Sequence, residues 1–146
     1  MQSNSAKFLG RYLPLIIWLS FIFFASSAEF SARNTSRFVG ALVLWVFPQA
    51  SAETLATVHF LTRKTAHVTE YAILGFLTAR AFYGSQNRNL QSHWFVVGLA
   101  LVVVYALLDE YHQSFVPGRT ASIFDSMIDI VGGLTALAVF RYHKRA

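Results

Sequence analysis

Residues 94–119 read WFVVGLALVVVYALLDEYHQSFVPGR. From 94 to 108 the run holds no charged residue. It then passes directly into Asp109, Glu110, His112 and Gln113, with no turn residue before Pro117-Gly118. A membrane-crossing helix needs about 20 mostly apolar residues. The apolar part alone falls short, so the helix is predicted to continue through the acidic end to residue 113. Pro117-Gly118 then turns the chain. The predicted span therefore ends in acids and bases, and that decides the fold class.

Three more segments have the length and apolarity of spans: 121–140 (ASIFDSMIDIVGGLTALAVF), 65–83 (TAHVTEYAILGFLTARAFY) and 12–28 (YLPLIIWLSFIFFASSA). A cleavable signal peptide is the competing reading of 12–28, because Lys7 and Arg11 precede it and small residues follow. The length of the run and its content of Phe and Trp favour a retained span. Residues 38–48 (FVGALVLWVFP) are too short to cross and stop at Pro48, so they read as a re-entrant or interfacial segment, or a packed outer helix. The mixed stretch 51–63 reads as a second surface helix. A fifth crossing there would bury Gln49, Glu53 and His59. The prediction is all-α: a single domain over 1–146, a polytopic bundle of about four spans with a short helix between the first and second.

Composition agrees. Hydrophobic residues are 55% of the 146 and charged residues 13%, against about 25% in soluble domains; the mean hydropathy is +0.46. With no cysteine, disulfides, thiol nucleophiles and Cys-based metal sites are excluded. The net charge of +5 is read as membrane topology and not as a nucleic-acid footprint. With both termini inside, the inner loops and tails hold Lys7, Arg11, Arg80, Arg88, Arg141, Lys144 and Arg145. The outer ones hold Arg33, Arg37, Arg63, Lys64 and Arg119. This seven-to-five excess favours an N-in, C-in orientation.

Of the seven acids only Glu29 and Glu53 fall in connecting segments. Ionisable groups inside spans are costly and face a bundle interior or a wet cavity. Lys64, His67, Glu70 and Tyr71 share a broad helical face, with Glu70 roughly 8 Å below the start of its span. Asp109 shares a face with His112 or Gln113, and Glu110 points about 100° away. Asp125 and Asp129 are spaced i, i+4 with Gly132 one turn further, and Asp129 lies roughly 12 Å into the span. Alternating span direction brings these groups to one level, in the outer half of the membrane under the N-in orientation.

Each residue also has a plainer reading. Ser122-x-x-Asp125 matches a capping box. Lys64 can snorkel, and Arg119 can anchor on lipid phosphate. His67 and His112 can be hydrogen-bonded packing residues. Gly132-Gly133 is read as a close helix contact, and Trp18, Trp45 and Trp94 as interface anchors.

The constellation Lys64-x-x-His67-x-x-Glu70-Tyr71, then Asp109-Glu110-x-His112-Gln113-x-Phe115-x-Pro117-Gly118-Arg119, then Asp125-x-x-x-Asp129-x-x-Gly132 resembles the VanZ-like family of small bacterial membrane proteins. The likeness covers residues 63–133, and the DE-x-HQ-x-F-x-PGR run is its most specific part. The family often carries Asn where this chain has Asp129. The resemblance implies a multi-span protein of the bacterial cytoplasmic membrane and cell envelope. The founding member is associated with low-level teicoplanin resistance.

Three functions follow as expectations. In the first, the site binds, with or without hydrolytic or transfer chemistry, a lipid-linked envelope precursor or glycopeptide-like ligand. Lys64 and Arg119 would hold phosphate or carboxylate. His67, Glu70, Asp109 and His112 would be the catalytic candidates, and Tyr71, Glu110, Gln113, Asp125 and Asp129 would complete the ligand site. In the second, Asp125 and Asp129 relay protons in a small transporter or flippase. In the third, the network only fixes helix packing. No cofactor is expected. A minor variant would use His67, Glu70, Asp109, His112 and Asp125 as metal ligands. The partners are the bilayer and the envelope ligand, with oligomerisation open and no nucleic acid.

Overall fold

The computed structural model describes residues 4–27, 32–117, 119 and 121–145. Ala28, Glu29 and Gly118, invoked above at a span end, a connecting segment and a turn, lie outside the described residues. The described residues form α1 (Asn4–Ala25), α2 (Ala32–Val46), α3 (Ala52–Tyr83), α4 (Arg88–Ser92), α5 (Trp94–Gln113) and α6 (Ile123–His143), with no strand among them.

α5 has the bounds predicted from 94–113. α1 begins earlier than expected, because the residues before Tyr12 continue the helix, and α6 is shifted a few residues towards the C-terminus. The largest difference is α3. The stretch 51–63 is not a separate surface helix but the first third of a continuous helix of 32 residues. Ser51 caps it by accepting from the Thr54 amide at 3.1 Å, and Glu53 sits in its first turn; both favour a helix start there. Nothing in the sequence interrupts the helix before Gly84. At 1.5 Å per residue α3 is about 48 Å long, against about 30 Å for α5.

By length and composition, residues Ala6–Ala25, α5 and α6 can cross a membrane. α3 is not among them, since it carries Glu53, Arg63, Lys64, Glu70 and Arg80 as well as His59 and His67. Many large apolar side chains of the three apolar helices face outward, including Ile16, Phe24, Val104, Leu108, Val131 and Val139. That is the arrangement a bilayer requires. α2 packs on α3, where Gly40 lies beside His59, and leaves Phe38, Leu42 and Trp45 exposed.

The core joins α1, α3, α5 and α6 through Leu15, Ile22, Tyr71, Leu74, Val102 and Leu137. α3 and α6 make the closest approach. A Cβ on Gly132 would lie 2.6 Å from the Val68 carbonyl oxygen, so only glycine fits there. Direction alternates along the chain. Near the α1 N-terminus, Tyr12 donates to Ser85 at 2.9 Å, and Arg80 donates to the Gly10 carbonyl. At the same end the Tyr83, Trp94 and Phe140 rings pack edge to face. The C-terminal ends of α1 and α5 therefore meet the start of α6 and residues 63–70 of α3.

Candidate functional site

At that second end, polar side chains from α3, α5 and α6, the turn after α1 and the α5–α6 loop converge. Closest to the start of α6, Asp125 is 2% exposed. It pairs with Lys64 and, at 3.5 Å, with Arg63. The capping-box reading of Asp125 does not hold. Ser122 is the N-cap of α6 but makes no side-chain cap bond. Its amide instead donates to Glu110 Oε2 at 2.6 Å, which ties the end of α5 to the start of α6.

One turn deeper, His67 Nδ1 lies 3.1 and 3.3 Å from the two carboxylate oxygens of Asp129, which is completely buried. On α5, Asp109 accepts from Ser26 Oγ and, at 3.0 Å, from Gln113 Nε2. Gln113 reaches Ser26 as well, at 3.4 Å. Arg119, in the α5–α6 loop, donates to the Ala25 carbonyl. Its Nε is buried without a partner. Burial, with Arg63 nearby, lowers its pKa from the ordinary value, yet an arginine stays cationic under physiological conditions.

These groups enclose a cavity of about 310 Å³ between α1 and α3. Its polar wall is Ser26, Arg63, His67, Glu70, Gln113 and Arg119, and Phe21, Ala25 and Ala66 give it an apolar side. Of the residues expected from the sequence, His67, Glu70, Gln113 and Arg119 thus share one cavity. Lys64, Asp109, Asp125 and Asp129 are outside the lining: Lys64 pairs with Asp125, Asp129 faces His67, and Asp109 is held by Ser26 and Gln113. His112 lies apart from the cavity lining, stacked on Phe23 with ring centroids 4.4 Å apart. Tyr71 is fully buried in the apolar core, its hydroxyl unpartnered.

The metal set expected from the sequence does not converge. Asp125 is held by Lys64, Asp109 by Ser26 and Gln113, and His112 by Phe23. A different trio does. One ring nitrogen of His67 and one carboxylate oxygen from each of Glu110 and Asp129 lie within 4.8 Å of one another.

Residues 12–144 match the family model described as VanZ/LLP1. The chain belongs to the VanZ/LLP1 family. No curated protein and no solved structure matches it. The VanZ/LLP1 match reaches beyond the motif-bearing residues 63–133 to take in most of α1 and the end of α6. With its three apolar helices, the chain is a membrane protein of VanZ type.

Sequence reasoning missed four contributors to this VanZ/LLP1 site. Ser26 reads only as a small residue at the end of the 12–28 span, and Arg63 as an outer-loop cation. Trp18 is not simply an interface anchor, because its indole N–H donates to the Glu70 carbonyl at 2.9 Å. Tyr105 likewise donates to the Leu19 carbonyl at 2.5 Å. A polar or amphipathic atom on an otherwise apolar helix was the available signal in Ser26, Trp18 and Tyr105.

Proposed function

We propose that this VanZ/LLP1 protein binds an anionic, lipid-linked envelope precursor or a glycopeptide-like ligand in the cavity between α1 and α3. It does so in the outer half of the bacterial cytoplasmic membrane. In this reading α1, α3, α5 and α6 cross the bilayer with both termini inside, and α2 lies as a short interfacial helix beyond the outer end of the bundle. Low-level teicoplanin resistance is the phenotype such binding would carry.

The observation that carries the reading is the cationic wall of the cavity. Among the described residues Arg119 is hydrogen-bonded only to a main-chain carbonyl and its buried Nε has no partner, and Arg63 lines the same cavity. Arginine suits two-point recognition of phosphate or carboxylate. About 310 Å³ accommodates a small polar head. The apolar side formed by Phe21, Ala25 and Ala66 faces the α1–α3 crevice, where a lipid chain can stay in the bilayer. His67, whose Nδ1 faces Asp129, retains a second ring nitrogen for proton transfer.

Asp109 is engaged by Ser26 and by Gln113 of its own helix, and Asp125 by Lys64 and Arg63 of α3, which favours a packing role for these two, alongside the ligand site.

The test is binding of radiolabelled lipid-linked precursor to the protein in nanodiscs. Saturable binding that falls about tenfold or more in Arg119→Ala, equivalent to at least about 1.4 kcal/mol, and is unchanged in His112→Ala is the expected result. Equal binding by wild type and Arg119→Ala overturns the reading. Precursor recovered unchanged argues for binding without chemistry, and movement across proteoliposomes argues for transport.

A further inference from the structure

We propose that His67, Glu110 and Asp129 form a site for a divalent transition-metal ion, with Zn²⁺ the best fit, at the inner wall of the cavity. The inference goes beyond the ligand reading and stands whatever occupies the cavity.

The trio draws one donor from each of α3, α5 and α6, and the donor atoms lie within 4.8 Å of one another. His67 is 7% exposed, Glu110 6% and Asp129 0%. Two carboxylates are thus buried side by side, a costly arrangement unless a positive charge compensates it. Of the basic side chains nearby, Lys64 is engaged by Asp125, a residue outside the trio, and the His67 ring faces Asp129 at 3.1 Å and not Glu110 Oε1.

Glu110 supplies the independent sign of a missing partner. Its Oε2 accepts from the Ser122 amide, while its Oε1 is buried with no hydrogen-bond partner among the described residues. An orphaned carboxylate oxygen of this kind calls for an explanation, and a bound ion is one.

The donor chemistry narrows the class. An imidazole nitrogen with two carboxylate oxygens suits zinc or manganese; magnesium and calcium favour all-oxygen sets. Zinc–ligand bonds of about 2.0–2.2 Å at tetrahedral angles put neighbouring ligand atoms about 3.3–3.6 Å apart. The observed 3.1 and 3.3 Å between His67 and Asp129 already approach that edge, so only Glu110 must close. Three protein ligands leave a fourth position open, as in catalytic zinc sites. Because His67 also lines the cavity, an ion can enter by that route and an outside molecule can reach it.

The experiment uses the full chain without a polyhistidine tag, in nanodiscs, stripped of metal and equilibrated with Zn²⁺ alone. Bound metal is measured by elemental analysis. The expected result is a single tight ion per chain. In Glu110→Gln and His67→Gln its affinity falls by more than the roughly 10–100-fold that outer-sphere partners cost, whereas Asp125→Asn retains the ion. Glu110→Gln keeps an oxygen for the Ser122 amide, so its apo form should unfold at the wild-type temperature. Wild type alone gives a second readout: Co²⁺ loading should produce the visible absorption of a four-coordinate site. Sub-stoichiometric zinc in wild type, or binding that survives both Gln substitutions, assigns the metal to surface histidines and overturns the proposal. So does Co²⁺ loading with only the weak spectrum of hydrated ion.

Discussion

Gly75 on α3 faces the carbonyl of Gly133 on α6 so closely that a Cβ on Gly75 would run into it. The obstruction is backbone, which cannot rotate away. Gly75→Val should therefore cost at least about 1–3 kcal/mol, the usual range for overpacking, read from thermal or SDS-induced unfolding in detergent. Gly10, on α1, has nothing within 4 Å of a built Cβ. Gly10→Ala should change stability by no more than about 1 kcal/mol, in the stabilising direction expected of a helix interior. Equal losses in the two variants would refute the close α3–α6 seam.

The Lys64–Asp125 pair is asymmetric. The side chain of Lys64 is 24% exposed and that of Asp125 3%. Lys64→Met strands a buried carboxylate with only Arg63 at 3.5 Å and should approach the about 3–5 kcal/mol of a broken buried pair. Asp125→Leu leaves a lysine that can extend to the headgroups and should cost less. The double variant Lys64→Met/Asp125→Leu should recover most of the loss seen in Lys64→Met. An additive double variant would show that the two residues are not coupled.

Asp109 accepts from both Ser26 and Gln113, whereas Ser26 adds to its bond to Asp109 only a long contact, 3.4 Å, from Gln113. Asp109→Leu leaves Ser26 and Gln113 without their acceptor and should cost about 1–3 kcal/mol. Ser26→Ala leaves Asp109 with Gln113, so its cost should stay near the roughly 0.6 kcal/mol average of interhelical hydrogen bonds in membranes. The comparison is made in the same unfolding assay, and the reverse ranking would place the weight of the junction on α1 instead.

Orientation is open to a clean labelling test, because the chain has no native cysteine. Ser114→Cys and Ser92→Cys lie at opposite ends of α5, both exposed. In intact cells an impermeant maleimide should label position 114 directly and position 92 only after permeabilisation. The opposite pattern would invert the topology and turn the cavity towards the cytoplasm.

Apolar periodicity made α1, α5 and α6 legible, since a run of about 20 apolar residues has few competing folds. α3 was half legible. Its polar first third resembles a surface segment, and only Ser51 and Glu53 announce that the helix starts there. The site was legible where spacing fixes the geometry within one helix. Asp109 and Gln113 at i, i+4 do bond, and Lys64 and His67 do share a face towards α6. Spacing says nothing about which partner a neighbouring helix supplies. His112 therefore separated from its expected companions to stack on Phe23, and Glu110, one position off the Asp109 face, joined His67 and Asp129. Ser26 and Arg63 acquire their roles only through residues 83 and 62 positions away.

Those separations also set an order of events during biosynthesis. Lys64 and His67 find Asp125 and Asp129 across 61 and 62 residues of chain. At about 5–20 residues per second, the ribosome takes several seconds to supply the acids that neutralise α3. Throughout that interval the helix bearing most of the chemistry is also the one that hydropathy alone does not carry into a bilayer. In the proposed topology its pairing waits for α6, which closes the α3–α6 seam and brings Asp125 and Asp129 to the site. A nascent chain halted before Ser122 would present unmatched cations to the insertion machinery and to quality-control proteases.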